Sequence, residues 1–280
     1  MQAKALYKAI LARLEQAEIE DAGFDGLQLF AHHTGMEISG LLTHPEKEIS
    51  GEVETALWES VEKRCEGEPL QYILGSWEFY GLPFTVGRGV LIPRADTEVL
   101  VDEALRLLEG VENPKIADLC SGSGCIGITL AKNREDAQVT LLELSNDAGN
   151  YCQKNIEQNG AKNATLFMRD ILEGPKDFCE LDMIVSNPPY IPAEDMKTLS
   201  REVQAEPQMA LLGGEDGLDF YRFIISHWTP ALKSTGAMVL EVGIHQADAV
   251  EQLLSEQFEQ VYIVPDLNNI PRVLLGVTRK

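Results

Sequence analysis

Positive charge is scarce in this chain of 280 residues: 23 lysines and arginines stand against 45 aspartates and glutamates, a formal net charge of −22. Affinity for a nucleic-acid backbone comes from cations that displace condensed counterions. The balance therefore argues against direct nucleic-acid binding and fits a basic protein or a cationic small molecule. Cysteine is sparse too. Cys65, Cys120, Cys125, Cys152 and Cys179 form an odd set without a C-x-x-C pair, which disfavours a disulfide framework and fits reduced thiols in the cytosol. The histidines are scattered, and the adjacent His32-His33 has no cysteine or carboxylate cluster nearby, so no metal site is expected. No apolar run approaches the ~20 residues of a membrane helix. Met1-Gln2-Ala3-Lys4 leads into an amphipathic helical pattern rather than a signal peptide, and a cytoplasmic location is expected.

What remains is ordinary enough to build a core: 44% of residues are hydrophobic, and the length suits one large domain or two smaller ones. Residues 3–75 read as helices. Leu6, Ile10, Leu11, Leu14 and Ile19 recur at helical spacing, Gly23-Phe24-Asp25 breaks that helix, Leu27–Thr34 starts another, and Glu48–Glu66 carries a third. No strand pattern occurs there. From Glu78 to Val90, aromatic and turn residues alternate as in a hairpin. Beyond residue 93, helix and strand alternate, with strands at Lys115–Leu119, Gln138–Leu142, Thr165–Met168, Leu181–Val185, Ala237–Val242, Gln260–Val264 and Val273–Val277. A single helix is expected over Leu218–Leu232. This order implies an α/β fold with a largely parallel sheet and helices on both faces. Only Asp266–Arg272 separates the last two strands, too little for a crossover helix, so the last strand should run antiparallel. The expected organisation is a helical domain over 1–76, a hairpin linker over 77–92 and a Rossmann-like domain over 93–280. Ligands of such sheets sit beyond the C-terminal strand ends.

Two of those strand ends carry motifs. Residues 116–127 read Ile-Ala-Asp-Leu-Cys-Ser-Gly-Ser-Gly-Cys-Ile-Gly, a strand running into a glycine turn and then a helix. Gly122 and Gly124 let the backbone take positive φ and approach a ligand closely. Glu143, at the end of the next strand, can accept both ribose hydroxyls of an adenosine. The glycine spacing also satisfies a dinucleotide pattern, which alone is weak. Asp118 tips the balance, because an acid there opposes a pyrophosphate and suits the ammonium and sulfonium of S-adenosylmethionine. Asp170 follows the third strand, either as a helix N-cap or as an acceptor for an adenine amino group, with Ile171 packing on the ring. The second motif is Asn187-Pro188-Pro189-Tyr190, one residue after Met183-Ile184-Val185. Neither proline has an N–H to continue a ladder, so the strand stops. A side-chain amide, stiff carbonyls and an aromatic ring then form a cradle for a flat NH2 group, on an amide or on a base.

With these motifs in order, the chain resembles the class I S-adenosylmethionine methyltransferases, and more narrowly the peptide chain release factor glutamine methyltransferases. The narrower resemblance rests on further blocks in register: Gly67-Glu68-Pro69-Leu70-Gln71-Tyr72-Ile73-Leu74-Gly75, Glu78-Phe79-Tyr80-Gly81, Leu91-Ile92-Pro93-Arg94-Ala95-Asp96-Thr97-Glu98, Glu206-Pro207, Gly213-Gly214 and Asp216-Gly217-Leu218. It covers nearly the whole chain. Cys120-Ser121 replace the family's usual Gly-Thr, Glu143 replaces the commoner Asp, and Ile171 stands where an aromatic is frequent. The resemblance implies methyl transfer to the glutamine amide of a Gly-Gly-Gln loop in a translation release factor. It implies cofactor contacts from Asp118, Cys120, Ser121, Gly122, Ser123, Gly124, Glu143, Asp170, Ile171 and Asn187. The catalytic and substrate contacts would come from Asn187, Pro188, Pro189 and Tyr190, with the ring of Tyr190 against the amide. No metal, nucleic acid or membrane is implied, and the helical domain would grip the protein substrate. The alternatives are an adenine-N6 methyltransferase acting on nucleic acid, another protein-glutamine methyltransferase, a module that only binds S-adenosylmethionine, and an NAD-dependent oxidoreductase.

Overall fold

A computed structural model describes all residues, 1–280, in two compact units. The first comprises Met1–Gly75 together with Ser200–Ala205, and the second Ser76–Leu199 together with Glu206–Lys280.

The first unit is helical, with helices at Ala3–Gln16, Ala22–Thr34, Ile38–Thr43, Gly51–Cys65 and Leu70–Leu74 and a single turn at Arg201–Gln204. Leu6, Ile10 and Leu14 fall on one stripe of the first helix and bury completely with Leu29, Phe30, Leu57 and Val61, as the i, i+4 spacing dictates. Ser50 caps the long helix by accepting from the Val53 N–H. The break between the first two helices lies earlier than the glycine suggested. It falls at Ala17–Asp21, where Glu18 takes a φ of 57°, whereas Gly23-Phe24-Asp25 form the first turn of the second helix. One glycine in a first turn costs only ~1 kcal/mol relative to alanine, so tertiary packing overrides it. Arg64 is buried and donates from Nε to Asp25 Oδ2 at 2.6 Å. It also pairs with Glu202.

In the second unit β1 (Ser76–Phe79) and β2 (Leu82–Thr85) form a hairpin. Tyr80 and Gly81 turn it, with φ of 52° and 71°, the geometry that a two-residue hairpin loop needs. The main sheet contains β3 (Lys115–Leu119), β4 (Gln138–Glu143), β5 (Ala164–Met168), β6 (Leu181–Ser186), β7 (Leu232–Glu241), β8 (Phe258–Pro265) and β9 (Pro271–Arg279). Its order is β5-β4-β3-β6-β7-β9-β8. β3 to β7 pair in parallel, and β9 enters antiparallel between β7 and β8. This is the mostly parallel Rossmann-like sheet with an antiparallel last strand that the pattern predicted. The order reverses at β3, whose neighbours are β4 and β6, and this switch point is where such sheets hold ligands.

The expected helix over Leu218–Leu232 is three pieces: an α turn at Asp219–Phe223, a π segment at Ile224–Trp228 and a 3-10 turn at Thr229–Ala231. Strand β7 begins at Leu232 rather than Ala237, with a register shift opposite Leu181 and Met183. A Cβ on Gly236 would stand 3.0 Å from the Leu181 carbonyl oxygen, so the irregular strand brings backbones close enough that a side chain there would be crowded. Buried Asn155 ties the hairpin to the sheet. It accepts from the Thr85 N–H at 2.7 Å and donates to the Ser123 carbonyl at 2.9 Å.

Candidate active site

The C-terminal ends of β3, β4, β5 and β6 surround a cavity of about 530 Å³. At its β3 end the chain turns through Cys120, Gly122 and Gly124, with φ of 59°, 55° and 82°. Cys120 thus sits in the left-handed region that favours glycine, a conformation that costs an L-residue about 1–2 kcal/mol. Gly124 cannot be replaced without movement: a Cβ there would meet Ile128 Cδ1 at 2.7 Å and Cys152 Sγ at 2.8 Å.

Hydrogen bonds hold the turn. The Ser121 N–H donates to the Leu142 carbonyl at 3.0 Å, and the Ser121 hydroxyl donates to the Asp118 carbonyl at 2.8 Å. Glu143, nearly buried, accepts from three backbone N–H groups: Gly122 at 2.8 Å, Leu144 at 2.9 Å and Ser145 at 2.7 Å. A carboxylate offers about four acceptor sites, so Glu143 keeps capacity for a ligand hydroxyl while it fixes the loops on both sides. Asp170 Oδ1 caps the turn Ile171–Glu173 by accepting from the Leu172 N–H at 2.8 Å. Both of the roles weighed for Asp170 stay compatible, since it also lines the cavity beside buried Ile171.

Asp118 lies elsewhere than expected. It is fully buried behind the glycine turn and does not line the cavity. Its Oδ2 accepts from the Gly127 N–H at 2.9 Å, and its Oδ1 has no partner. Burial pushes its carboxyl up to about 7, and the nearby Glu143 charge adds to the shift. An acid at this depth braces the helix start at Gly127, where an added Cβ would stand 2.9 Å from Asp118 Oδ2.

At the β6 end, Asn187 and Pro189 line the cavity, but Pro188 and Tyr190 do not. Pro188 is buried. Tyr190 leans on the apolar cluster around Tyr221 and Val242 rather than facing the cavity, and burial raises its phenol to about 12. Its carbonyl accepts from Gln246 Nε2 at 2.8 Å. A second brace comes from the bridge between Ile191 and Leu212, in which the Ile191 N–H donates to the Leu211 carbonyl at 2.8 Å. Of the expected cofactor contacts, Cys120, Ser121, Gly122, Ser123, Glu143, Asp170, Ile171 and Asn187 share the cavity wall, whereas Asp118 and Gly124 stand behind it.

Other residues at and around the wall escape a motif-by-motif reading. Thr97 lines the cavity and accepts from Asn187 Nδ2 at 3.3 Å. Glu206, whose side chain is buried, accepts from the Ile92 N–H at 2.9 Å and pairs with Arg94. It thereby ties the rim at Ile92–Arg94 to the strap Pro207–Ala210. Both residues lie inside blocks of the resemblance, which marked their segments but not their contacts. Glu241, at the end of β7, had no motif at all. A lone acid closing the apolar run Met238-Val239-Leu240 was the available signal.

The fold and this cavity define a methyltransferase of the class I type, and comparison with known proteins agrees. The family model "PrmC N-terminal domain" matches residues 5–75, and "Methyltransferase small domain" matches 96–215. The hMettl16 catalytic domain, solved in complex with MAT2A 3'UTR hairpin 6, superposes with a TM-score of 0.56 at 15% identity. That match covers 81% of this chain and 82% of the other, a likeness of fold. A release factor glutamine methyltransferase of Geobacter sulfurreducens is 41% identical over 265 residues, 94% of this chain and 92% of its own. One from Koribacter versatilis is 34% identical over 277 residues, 99% and 98% of the two chains. The chain belongs to the release factor glutamine methyltransferase family.

Proposed function

We propose that this protein transfers a methyl group from S-adenosylmethionine to the side-chain amide nitrogen of the glutamine in the Gly-Gly-Gln loop of a peptide chain release factor. The observation that carries the reading is one cavity wall running from the glycine turn and Glu143 to Asn187. A nucleoside-bearing methyl donor and a flat amide can therefore meet there.

The residues present fit such a donor. The turn takes positive φ at Gly122 and Gly124, and at Gly124 an added side chain would intrude on its neighbours; Ile126 and Ile171 offer apolar wall, and Glu143 retains acceptor capacity. When bound, S-adenosylmethionine supplies an electrophilic methyl carbon. The protein's task is to make an amide nitrogen attack it. That nitrogen is a poor nucleophile because its lone pair is delocalised into the carbonyl. Asn187 Oδ1 and the Pro188 carbonyl would accept its two N–H bonds, localise the lone pair and aim it. Positioning of this kind can supply ~7–11 kcal/mol of the barrier, and preorganised acceptors stabilise the positive charge that builds on nitrogen. The methylated nitrogen sheds its proton readily, so no strong base is required. Tyr190 serves by holding the turn against the core. The helical unit would grip the release factor, and the strong negative charge suits a basic protein partner.

Two assays test this reading. S-adenosylhomocysteine should raise the melting temperature where NAD does not. Labelled methyl groups should pass to a release factor and not to adenine-containing RNA or DNA. Stabilisation by NAD alone, or methylation of nucleic acid in place of the factor, would overturn it.

A further inference from the structure

Glu241 is 1% exposed at the end of β7, one residue beyond the paired Ser186 and Leu240. It therefore lies beside Asn187, one residue beyond the end of β6. The hydroxyl of Thr97 and the side-chain amide of Asn187 both favour the ionised form of its carboxyl, yet its Oε2 has no hydrogen-bond partner. A buried acceptor left unmade is costly, and this one sits beside the side chain on which the proposed chemistry depends. Such contacts are often long in a free enzyme and tighten in the substrate complex.

An asparagine amide can sit either way round. Asn187 Nδ2 donates to Thr97 Oγ1 at 3.3 Å, but a hydroxyl both donates and accepts, so Thr97 alone does not fix the choice. An ionised carboxylate only accepts. We infer that Glu241 is a positioning residue: its carboxylate draws the Asn187 amide N–H and the Thr97 hydroxyl inward, so that Asn187 Oδ1 faces the substrate amide. If Glu241 gains a proton it becomes a donor, the reversed amide is satisfied equally well, and the cavity then presents an NH2 group to an NH2 group. The inference rests on the acceptor role proposed for Asn187.

Charged and titratable groups face Glu241 from several elements. Arg272 on β9 favours its ionised form and Asp96 opposes it. Arg272 shares its charge between Asp96 and Asp266, each at 3.2 Å. Tyr190 and Cys125 are neutral at ordinary pH, their groups raised by burial to about 12. The Tyr221 hydroxyl donates to the Glu241 backbone carbonyl at 2.8 Å. Burial dominates and raises the Glu241 carboxyl to about 7.

The test combines kinetics with a readout that needs no substrate. In single-turnover methylation of a release factor, wild type should lose rate as pH falls through a midpoint near 7. Glu241→Gln, which keeps the shape, should be slower by on the order of 10- to 100-fold at high pH, should lack that acid limb and should bind S-adenosylhomocysteine as wild type does. In the unliganded wild-type protein, the NMR signal of the Asn187 side-chain NH2 should titrate with the same midpoint, and in Glu241→Gln it should not. A variant with wild-type rate and an unchanged acid limb, or an Asn187 signal indifferent to pH, would overturn the inference. A wild-type protein that methylates no release factor while its Asn187 signal titrates would count against the proposed function and for the pairing.

Discussion

The two ends of the cavity are held by different means. At the glycine end the bonds involve the backbone: Glu143 gathers three N–H groups, Ser121 bonds to Leu142 across strands, and Gly124 has no space for a methyl. At the Asn187 end side chains interact: Asn187 donates to Thr97, and Arg272 favours the ionised form of neighbouring Glu241. Two of their buried polar atoms, Glu241 Oε2 and Arg272 Nε, have no partner. The glycine end is a cradle of fixed shape, whereas the Asn187 end has bonding capacity in reserve. A site that must hold a cofactor firmly and still tighten on a second reactant has use for both, because interactions that strengthen in the transition state accelerate the reaction.

The largest test of that contrast is Asn187→Ala. It should cut single-turnover methylation on the order of 100- to 1000-fold, as loss of one preorganised hydrogen bond does elsewhere, with cofactor affinity nearly intact. Parallel losses in both would mean that the two ends are one unit. Glu143→Ala strikes the other end. It frees three backbone N–H groups at once, and hydrogen bonds to a charged group are worth ~1.5–3 kcal/mol each before water substitutes. Calorimetry should show cofactor affinity weakened by about 10- to 100-fold, and unchanged affinity would remove Glu143 from the cofactor site.

A smaller effect concerns pH and stability. The Asp118 carboxyl is raised to about 7 from 3.8, so the folded chain keeps a proton that the unfolded chain releases. Its stabilising contribution is complete below the unfolded value and is lost as pH rises through about 7. Between pH 5 and 8, wild type should lose on the order of 2 kcal/mol more stability than Asp118→Asn. Denaturant titrations at both pH values check this, and equal slopes would mean that Asp118 is not held protonated. The smallest effect is expected from Cys120→Gly. Glycine relieves the positive φ but frees the unfolded chain, for a net gain of at most ~1 kcal/mol. A clear drop in melting temperature would show that the thiol's packing outweighs the backbone strain.

The same contrast explains what could be read in advance. The glycine turn and Asn187-Pro188-Pro189-Tyr190 are contiguous, and a strand followed by glycines or by two prolines has few solutions, so their places were legible. Hydrophobic periodicity likewise placed the strands, and the short Asp266–Arg272 connection foretold the antiparallel β9. Asp118 looked like a cavity acid because spacing places a residue at a strand end without saying which face it takes. Tyr190 looked like a platform for the substrate, but Gly243 leaves room for its ring: a Cβ there would stand 2.9 Å from Tyr190 Cδ2. Thr97 and Glu241 meet Asn187 only because β6 pairs with β7 and the segment at Ala95–Thr97 reaches the same edge. No local pattern encodes that meeting.

The central claim is that Asn187 presents a glutamine amide for methylation. Site-resolved mass spectrometry of a release factor, after reaction with S-adenosylmethionine and either wild type or Asn187→Ala, tests it most directly. The account predicts one methyl group on the side-chain amide nitrogen of the Gly-Gly-Gln glutamine with wild type, and almost none with the variant over the same interval. A methyl group on another residue, or equal modification by both proteins, would contradict it.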